Sequence, residues 1–278
     1  MQYDPIKRAL GTLFNKTPFT RKIFYKLLDL LLLRAWHVKR ELKIFRKNNT
    51  GEINILDAGA GYGQYAFFMS GLSATWNIKA VDVKKEQVDD CNRFFKKVKR
   101  DNRVVFEMAD LVKFIEKEKY SLILSVDVME HIEDDEIVFG NFFNSLKPGG
   151  MLLISTPSDK GGSDVFHHHS NSFIEEHVRD GYGVNEIKTK LEKAGFSNIR
   201  TRYTYGKPGQ LSWKLSMKYP ILLLNLSKFF YVFLPFYYML TFPVSLLLNI
   251  LDVNKIYKTG TGLVVKGIKG IEGKKIKN

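Results

Sequence analysis

Between Glu52 and Ser155, short runs of β-branched residues and leucine alternate with longer amphipathic stretches, and this alternation narrows the possible folds more than any other feature. Ile53–Leu56, Ile78–Val83, Val104–Met108, Leu122–Val126 and Leu152–Ser155 have strand length and are largely apolar. Helical segments are expected near Gln64–Ser70, Lys84–Lys99, Leu111–Lys117, Asp134–Leu146 and Asn185–Ala194. Strands apolar on both faces need cover on both faces. The pattern therefore predicts an α/β fold, with a mostly parallel sheet buried between helical layers. Beyond Gly195, Ile199–Tyr205 alternates as a half-buried strand, and Gly262–Ile268 is its expected partner.

Charge divides the chain differently. The net charge is +14, yet residues 1–50 hold 12 Lys/Arg against 3 Asp/Glu, residues 200–278 hold 13 against 2, and the middle holds 18 against 24. The basic flanks are also the most apolar parts, a combination suited to an anionic membrane surface. An acidic centre argues against nucleic acid as a partner. One cysteine, Cys91, and no signal-peptide pattern give a reducing, cytoplasmic location as the expectation. In the basic N-terminal arm, Lys22–Leu42 reads as a single Leu-rich helix capping the domain.

ILDAGAGYGQYAF, Ile55–Phe67, is a strand, a glycine-rich turn and a helix start. Gly59, Gly61 and Gly63 permit a tight turn and close approach of backbone to a ligand. A dinucleotide fingerprint counted from Gly59 needs glycine at position 64, which is Gln64, and no P-loop is present. Asp57 followed by three alternating glycines suits a cofactor with no phosphate to cradle and with an ammonium that seeks a carboxylate.

On these residues and three later motifs the sequence resembles the class I S-adenosylmethionine-dependent methyltransferases. Asp82 in AVDV ends the second strand, Asp110 in EMADL ends the third, and SLILSVDVMEHIEDD and LKPGGMLLISTPS follow in the family's order. The resemblance implies a Rossmann-like, seven-stranded, mostly parallel sheet with an antiparallel terminal hairpin. It implies S-adenosyl-L-methionine as cofactor, held by Asp57, Gly59, Gly61, Gly63, Asp82, Val83, Asp110, Leu111 and Asp127. Asp82 would meet the ribose hydroxyls and Asp110 the adenine amino group. Taken singly, either acid also reads as an ordinary strand-end turn residue.

Methyl transfer from a sulfonium asks mainly for alignment and exclusion of water. For a hydroxyl acceptor, His131 is the expected general base, with Glu130 second, although both can equally be structural. Phe166, His168, His177, Arg179 and Tyr182, after the fifth strand, are the substrate-facing candidates. Three adjacent histidines without helical or hairpin spacing, and without cysteine, give no metal site.

The remaining feature is FFYVFLPFYYMLTFPVSLLLNIL, Phe229–Leu251, 23 residues without a formal charge. It lies between two strands expected to pair, so both its ends stay on one side of any membrane. Pro235 is expected to divide Pro220–Leu251 into halves of about 15 residues, each about 22 Å long and too short to span. A bent hairpin in one leaflet is the expectation, with a substrate lid or a homodimer interface as alternatives. The organisation expected is an arm over 1–50, a core over 51–206 and 259–269, an apolar helical insert over 207–258, and a basic tail over 270–278. The activity expected is methylation of a lipophilic small molecule or lipid-linked acceptor. The protein would sit peripherally or monotopically on the cytoplasmic face of a membrane.

Overall fold

The computed structural model describes residues 17–161 and 178–271. Its centre is a seven-stranded sheet: β1 (Ile53–Ala58), β2 (Trp76–Asp82), β3 (Val104–Met108), β4 (Tyr120–Val126), β5 (Leu146–Pro157), β6 (Phe196–Thr204) and β7 (Gly262–Lys269), in spatial order 3-2-1-4-5-7-6. The first five strands pair in parallel, whereas β7 is antiparallel to both β5 and β6. The sequence expectation of a mostly parallel sheet closed by an antiparallel pair is met.

Two-residue periodicity sends alternate side chains to opposite faces. Ile55, Leu122, Leu124 and Leu153 join one core with residues of α1 (Pro18–Leu31), α2 (Leu33–Asn48), α3 (Gln64–Leu72) and α4 (Lys85–Lys97). Leu56, Ile123, Leu152 and Ile154 join the other, against α5 (Asp135–Ser145) and α6 (Val184–Lys193).

Three local expectations are corrected. Lys22–Leu42 is not one helix: Leu32 is extended and separates α1 from α2. Four consecutive leucines would point around every side of an unbroken helix, and the break buries Leu32 and Leu33 while Leu30 stays outside. Leu111–Lys117 forms turns rather than a helix. The Asp110 side chain accepts from Val112 N–H and the Asp110 carbonyl from Lys113 N–H, which closes the chain locally instead.

The third correction concerns the insert. Residues 207–226 form one helical rod made of α7 (Lys207–Trp213), a π turn (Lys214–Lys218) and α8 (Tyr219–Leu226). A 3-10 turn (Lys228–Val232) then leads into α9 (Leu234–Asn254). Pro220–Leu251 is divided just ahead of Pro235, at Ser227–Phe233, but into unequal pieces, and Pro235 itself occupies the first turn of α9, where no N–H is needed. Pro243 lies inside the helix without ending it. The 21 residues of α9 are long and apolar enough to cross a membrane by length and composition, and 11% of the apolar window is buried.

The two rods pack side by side, and their seam is polar. Ser212 Oγ donates to Asn249 Oδ1 (2.7 Å), and the Tyr237 and Tyr238 hydroxyls donate to the Leu215 and Ser216 carbonyls in the π turn (2.7 and 2.9 Å). At the base, Asp252 is wholly buried and accepts from His37 Nε2 (2.9 Å), Tyr205 N–H (3.2 Å) and Gly209 N–H (3.1 Å). Burial lowers the His37 pKa, so a neutral ring donating from Nε2 fits that contact.

Because β6 is antiparallel to β7 and β7 to β5, β6 runs in the same direction as β5. Its end, where the helical hairpin starts, therefore lies at the carboxyl edge of the sheet. Ligands bind at that edge in open α/β sheets.

Candidate active site

The glycine-rich turn joins β1 to α3. Gly59, Gly61 and Gly63 have φ of +78°, +51° and +77°, a region that side-chain-bearing residues rarely enter. A Cβ on Gly59 would fall 2.2 Å from Val128, and one on Gly63 would fall 2.8 Å from Phe106, whereas one on Gly61 would meet nothing within 4 Å. Gly61 thus keeps open space in front of the turn.

Two carboxylates frame that space. Asp57 at the end of β1 is buried, and its Oδ2 has no hydrogen-bond partner. Burial pushes its pKa up to about 7, with a further push from the Asp82 charge. Asp82 accepts from Gly61 N–H (2.8 Å) and Lys84 N–H (2.9 Å), which fixes its carboxylate beside the turn. Val83 is exposed, Asp110 is exposed at the end of β3, and Leu111 is buried behind it.

Asp127, at the end of β4, has φ +52° and pairs with Arg34 of α2. Glu130 and His131 lie in the following 3-10 turn (Met129–His131). The Glu130 carboxylate is buried and accepts from Thr156 Oγ1 (3.1 Å), while its carbonyl receives Val178 N–H (3.0 Å). Burial, and then the Asp127 charge, raises its pKa. His131 is half-buried.

The substrate-facing candidates fare differently. Phe166, His168 and His177 lie outside the described residues. Tyr182 is fully buried, with its hydroxyl 2.6 Å from Asp135 Oδ2 and 3.1 Å from the Met129 carbonyl. Arg179 pairs with Asp135 and with the Tyr182 hydroxyl, and Lys190 joins them at 2.7 Å from Asp135. These two residues are engaged in a core network that holds the turn after β4 against α6.

The structure adds groups that sequence spacing did not mark. Arg34 N–H donates to the Tyr205 hydroxyl (3.0 Å), and Tyr205, with φ +54°, is the first residue after β6. The buried Tyr65 hydroxyl has no hydrogen-bond partner. Arg34 lies within a Leu-rich helix whose pattern says only cap. Tyr205, ending a strand at the carboxyl edge, carried a positional signal.

Arg21 and Tyr25 of α1 reach the glycine turn itself. The Arg21 guanidinium donates to the Tyr62 carbonyl (2.9 Å) and lies 2.5 Å from Asp90, while Tyr25 donates to the same carbonyl (2.5 Å). Two donors on one loop carbonyl hold the turn against the N-terminal arm.

An orphaned buried carboxylate, a glycine cradle with open space and a second acid fixed at the end of the adjacent strand fit an amino acid nucleoside without phosphates. The sequence model described as a methyltransferase domain matches residues 19–201. The wheat (Triticum aestivum) phosphoethanolamine N-methyltransferase 1 is 31% identical over 157 residues, 52% of this chain and 28% of that protein. The Leptospira interrogans demethylmenaquinone methyltransferase is 27% identical over 144 residues, 50% of this chain and 57% of the relative. The chain thus spans less than two thirds of either relative. Among solved structures, the Haemonchus contortus phosphoethanolamine N-methyltransferase 2 in complex with S-adenosyl-L-methionine superposes with a TM-score of 0.57 at 19% identity. That match covers 84% of this chain and 52% of the other, and it speaks for the shared fold.

Proposed function

Because the chain belongs to the class I S-adenosylmethionine-dependent methyltransferase family, we propose that it methylates a lipophilic small molecule or lipid-linked acceptor at a membrane surface. The observation that carries this reading is the polarity of the hairpin at the sheet's carboxyl edge. Its seam buries Ser212, Ser216, Ser245, Asn249 and Asp252, while Leu240 (72% exposed), Met239 (68%) and Phe229 (65%) face outward. Polar groups inside and apolar groups outside suit helices surrounded by acyl chains.

Depth follows from the cations. The first rod carries Lys207, Lys214 and Lys218, and about 12 Å of helix separates Lys218 from the turn that begins at Lys228, so the apolar stretch between these cations is close to the thickness of one leaflet's hydrocarbon. α9 alone could span; paired with that rod, it lies in one leaflet. The lysine stems reach to the headgroups.

Bound S-adenosyl-L-methionine supplies an activated methyl group on a sulfonium. Asp57 would hold the cofactor's ammonium, Asp82 its ribose hydroxyls, and Asp110 with Leu111 its adenine. Asp127, held by Arg34, and the Glu130–His131 turn form the wall toward the acceptor. His131 takes the proton of a hydroxyl acceptor, and Glu130, held by Thr156, orients the turn. A relative named for demethylmenaquinone is consistent with a lipophilic acceptor.

The test is incubation of the protein and labelled S-adenosyl-L-methionine with membrane lipid extracts and, separately, with the aqueous metabolite fraction. Label in the lipid fraction is expected; label confined to a water-soluble product would overturn the proposal.

A further inference from the structure

A groove of about 530 Å³ runs along α2 to the C-terminal end of α9 and is lined by Asp29, Trp36, Lys39, Arg40, Lys43, Ile44, Lys47, Val253 and Asn254. It lies at the hairpin base, its Asp29 end reaching Gln64 behind the glycine turn, and no step of methyl transfer uses it. Its cations recur at helical spacing: Lys39 and Arg40, then Lys43, then Lys47 present one face of α2. Four cations meet one acid, and that acid is already shared, since Asp29 pairs with Lys39 and accepts from Gln64 Nε2 (2.6 Å). Arg40 donates to the Val253 carbonyl at the end of α9. Lys43 and Lys47 are exposed and have no ion-pair partner among the described residues. Trp36, Ile44 and Val253 give the groove apolar surface beside the cations.

We propose that this groove binds a phosphate ester, and that in the cell the ester is the headgroup of an anionic lipid in the leaflet that receives the hairpin. This rests on the membrane reading above. If the hairpin enters the leaflet tip first, its base lies on the headgroup side of Lys218, and the groove's long lysine side chains extend from there toward the lipid phosphates. An anion there relieves the repulsion among neighbouring lysines and arginine, and the Trp36 ring is suited to the boundary between headgroup and acyl chain.

The experiment compares full-length protein and the Lys43→Glu/Lys47→Glu variant on vesicles of phosphatidylcholine alone and of phosphatidylcholine with phosphatidylglycerol, with glycerol phosphate as soluble probe. Both substitutions are on exposed positions, and an unchanged thermal melt with retained cofactor binding confirms folding. The expectation is at least tenfold tighter binding to the anionic vesicles, reduced in the variant to the level seen on phosphatidylcholine. Equal binding of both proteins to anionic vesicles overturns the groove and leaves the membrane reading intact. Absence of binding to every vesicle overturns both. Glycerol phosphate bound in a Lys43- and Lys47-dependent way, without any vesicle preference, supports the site and makes its ligand water-soluble. Tighter binding of an RNA oligomer than of anionic vesicles, through the same lysines, refutes the lipid assignment.

Discussion

The central strands and the helical hairpin are both rich in large apolar residues, but they arrange them in opposite senses. Leu122, Ile123 and Leu124 of β4 are wholly buried, and the polar groups at the strand ends face the crevice. In the hairpin, serines, an asparagine and Asp252 occupy the seam, and Leu240, Val244 and Leu247 face out. The sheet makes its own apolar interior; the hairpin leaves its large apolar residues uncovered by the described chain. The same leucine content therefore marks a self-sufficient core in one region and a contact surface in the other.

Substitutions can break that contrast from either side. A large loss is expected for the cofactor: Asp57→Ala removes the one buried carboxylate among the described residues with a free oxygen and should weaken S-adenosyl-L-methionine binding about 100-fold by calorimetry, nearly 3 kcal/mol. Leu124→Ala should cost about 3 kcal/mol of stability in chemical denaturation, because it leaves a cavity between sheet and helices. Asp252→Ala should cost about 2 kcal/mol, since it strands the Tyr205 and Gly209 amides and the His37 donor. The outer face should behave in the reverse way. Leu240→Glu with Leu247→Lys should change stability by less than about 0.5 kcal/mol yet abolish sedimentation with vesicles. An equal loss of stability at Leu240 and Leu124 would erase the distinction.

The same carboxylate also gives a pH dependence. Burial raises Asp57 to about 7 in the folded chain, against about 4 when unfolded. Its protonated form therefore contributes stability that is complete below pH 4 and is lost as pH rises through 7, at no more than about 1.4 kcal/mol per unit. Thermal melts of the cofactor-free protein should show this component between pH 4 and 7, and Asp57→Asn should remove it. Cofactor binding that needs the ionised Asp57 should weaken below pH 7.

Much of this architecture was legible because strand burial writes itself directly into composition. The five parallel strands follow apolar runs and β6 an alternating one, and the glycine turn with Asp82 and Asp110 identifies the edge where a ligand fits. Long-range contacts were not legible. Nothing around Tyr182 shows that its hydroxyl meets Asp135, 47 residues earlier, and nothing in the Leu-rich arm shows that Arg34 reaches Asp127. Pro235 marked the division of the apolar stretch but not the lengths of its pieces: it lies at a first turn rather than in a helix interior, and α9 runs on from Leu234 to Asn254. The break at Leu32 is similar, since tertiary burial of Leu32 and Leu33 outweighs helical continuity.

The most direct measurement is transfer of labelled methyl from S-adenosyl-L-methionine into extracted membrane lipid, comparing the natural chain with the Leu240→Glu/Leu247→Lys variant at equal cofactor occupancy. Label in lipid with the natural chain, reduced at least tenfold in the variant while cofactor affinity is unchanged, is the predicted result. Equal label in lipid from both proteins, or label only in water-soluble product, would contradict a hairpin built to bring the site to a membrane.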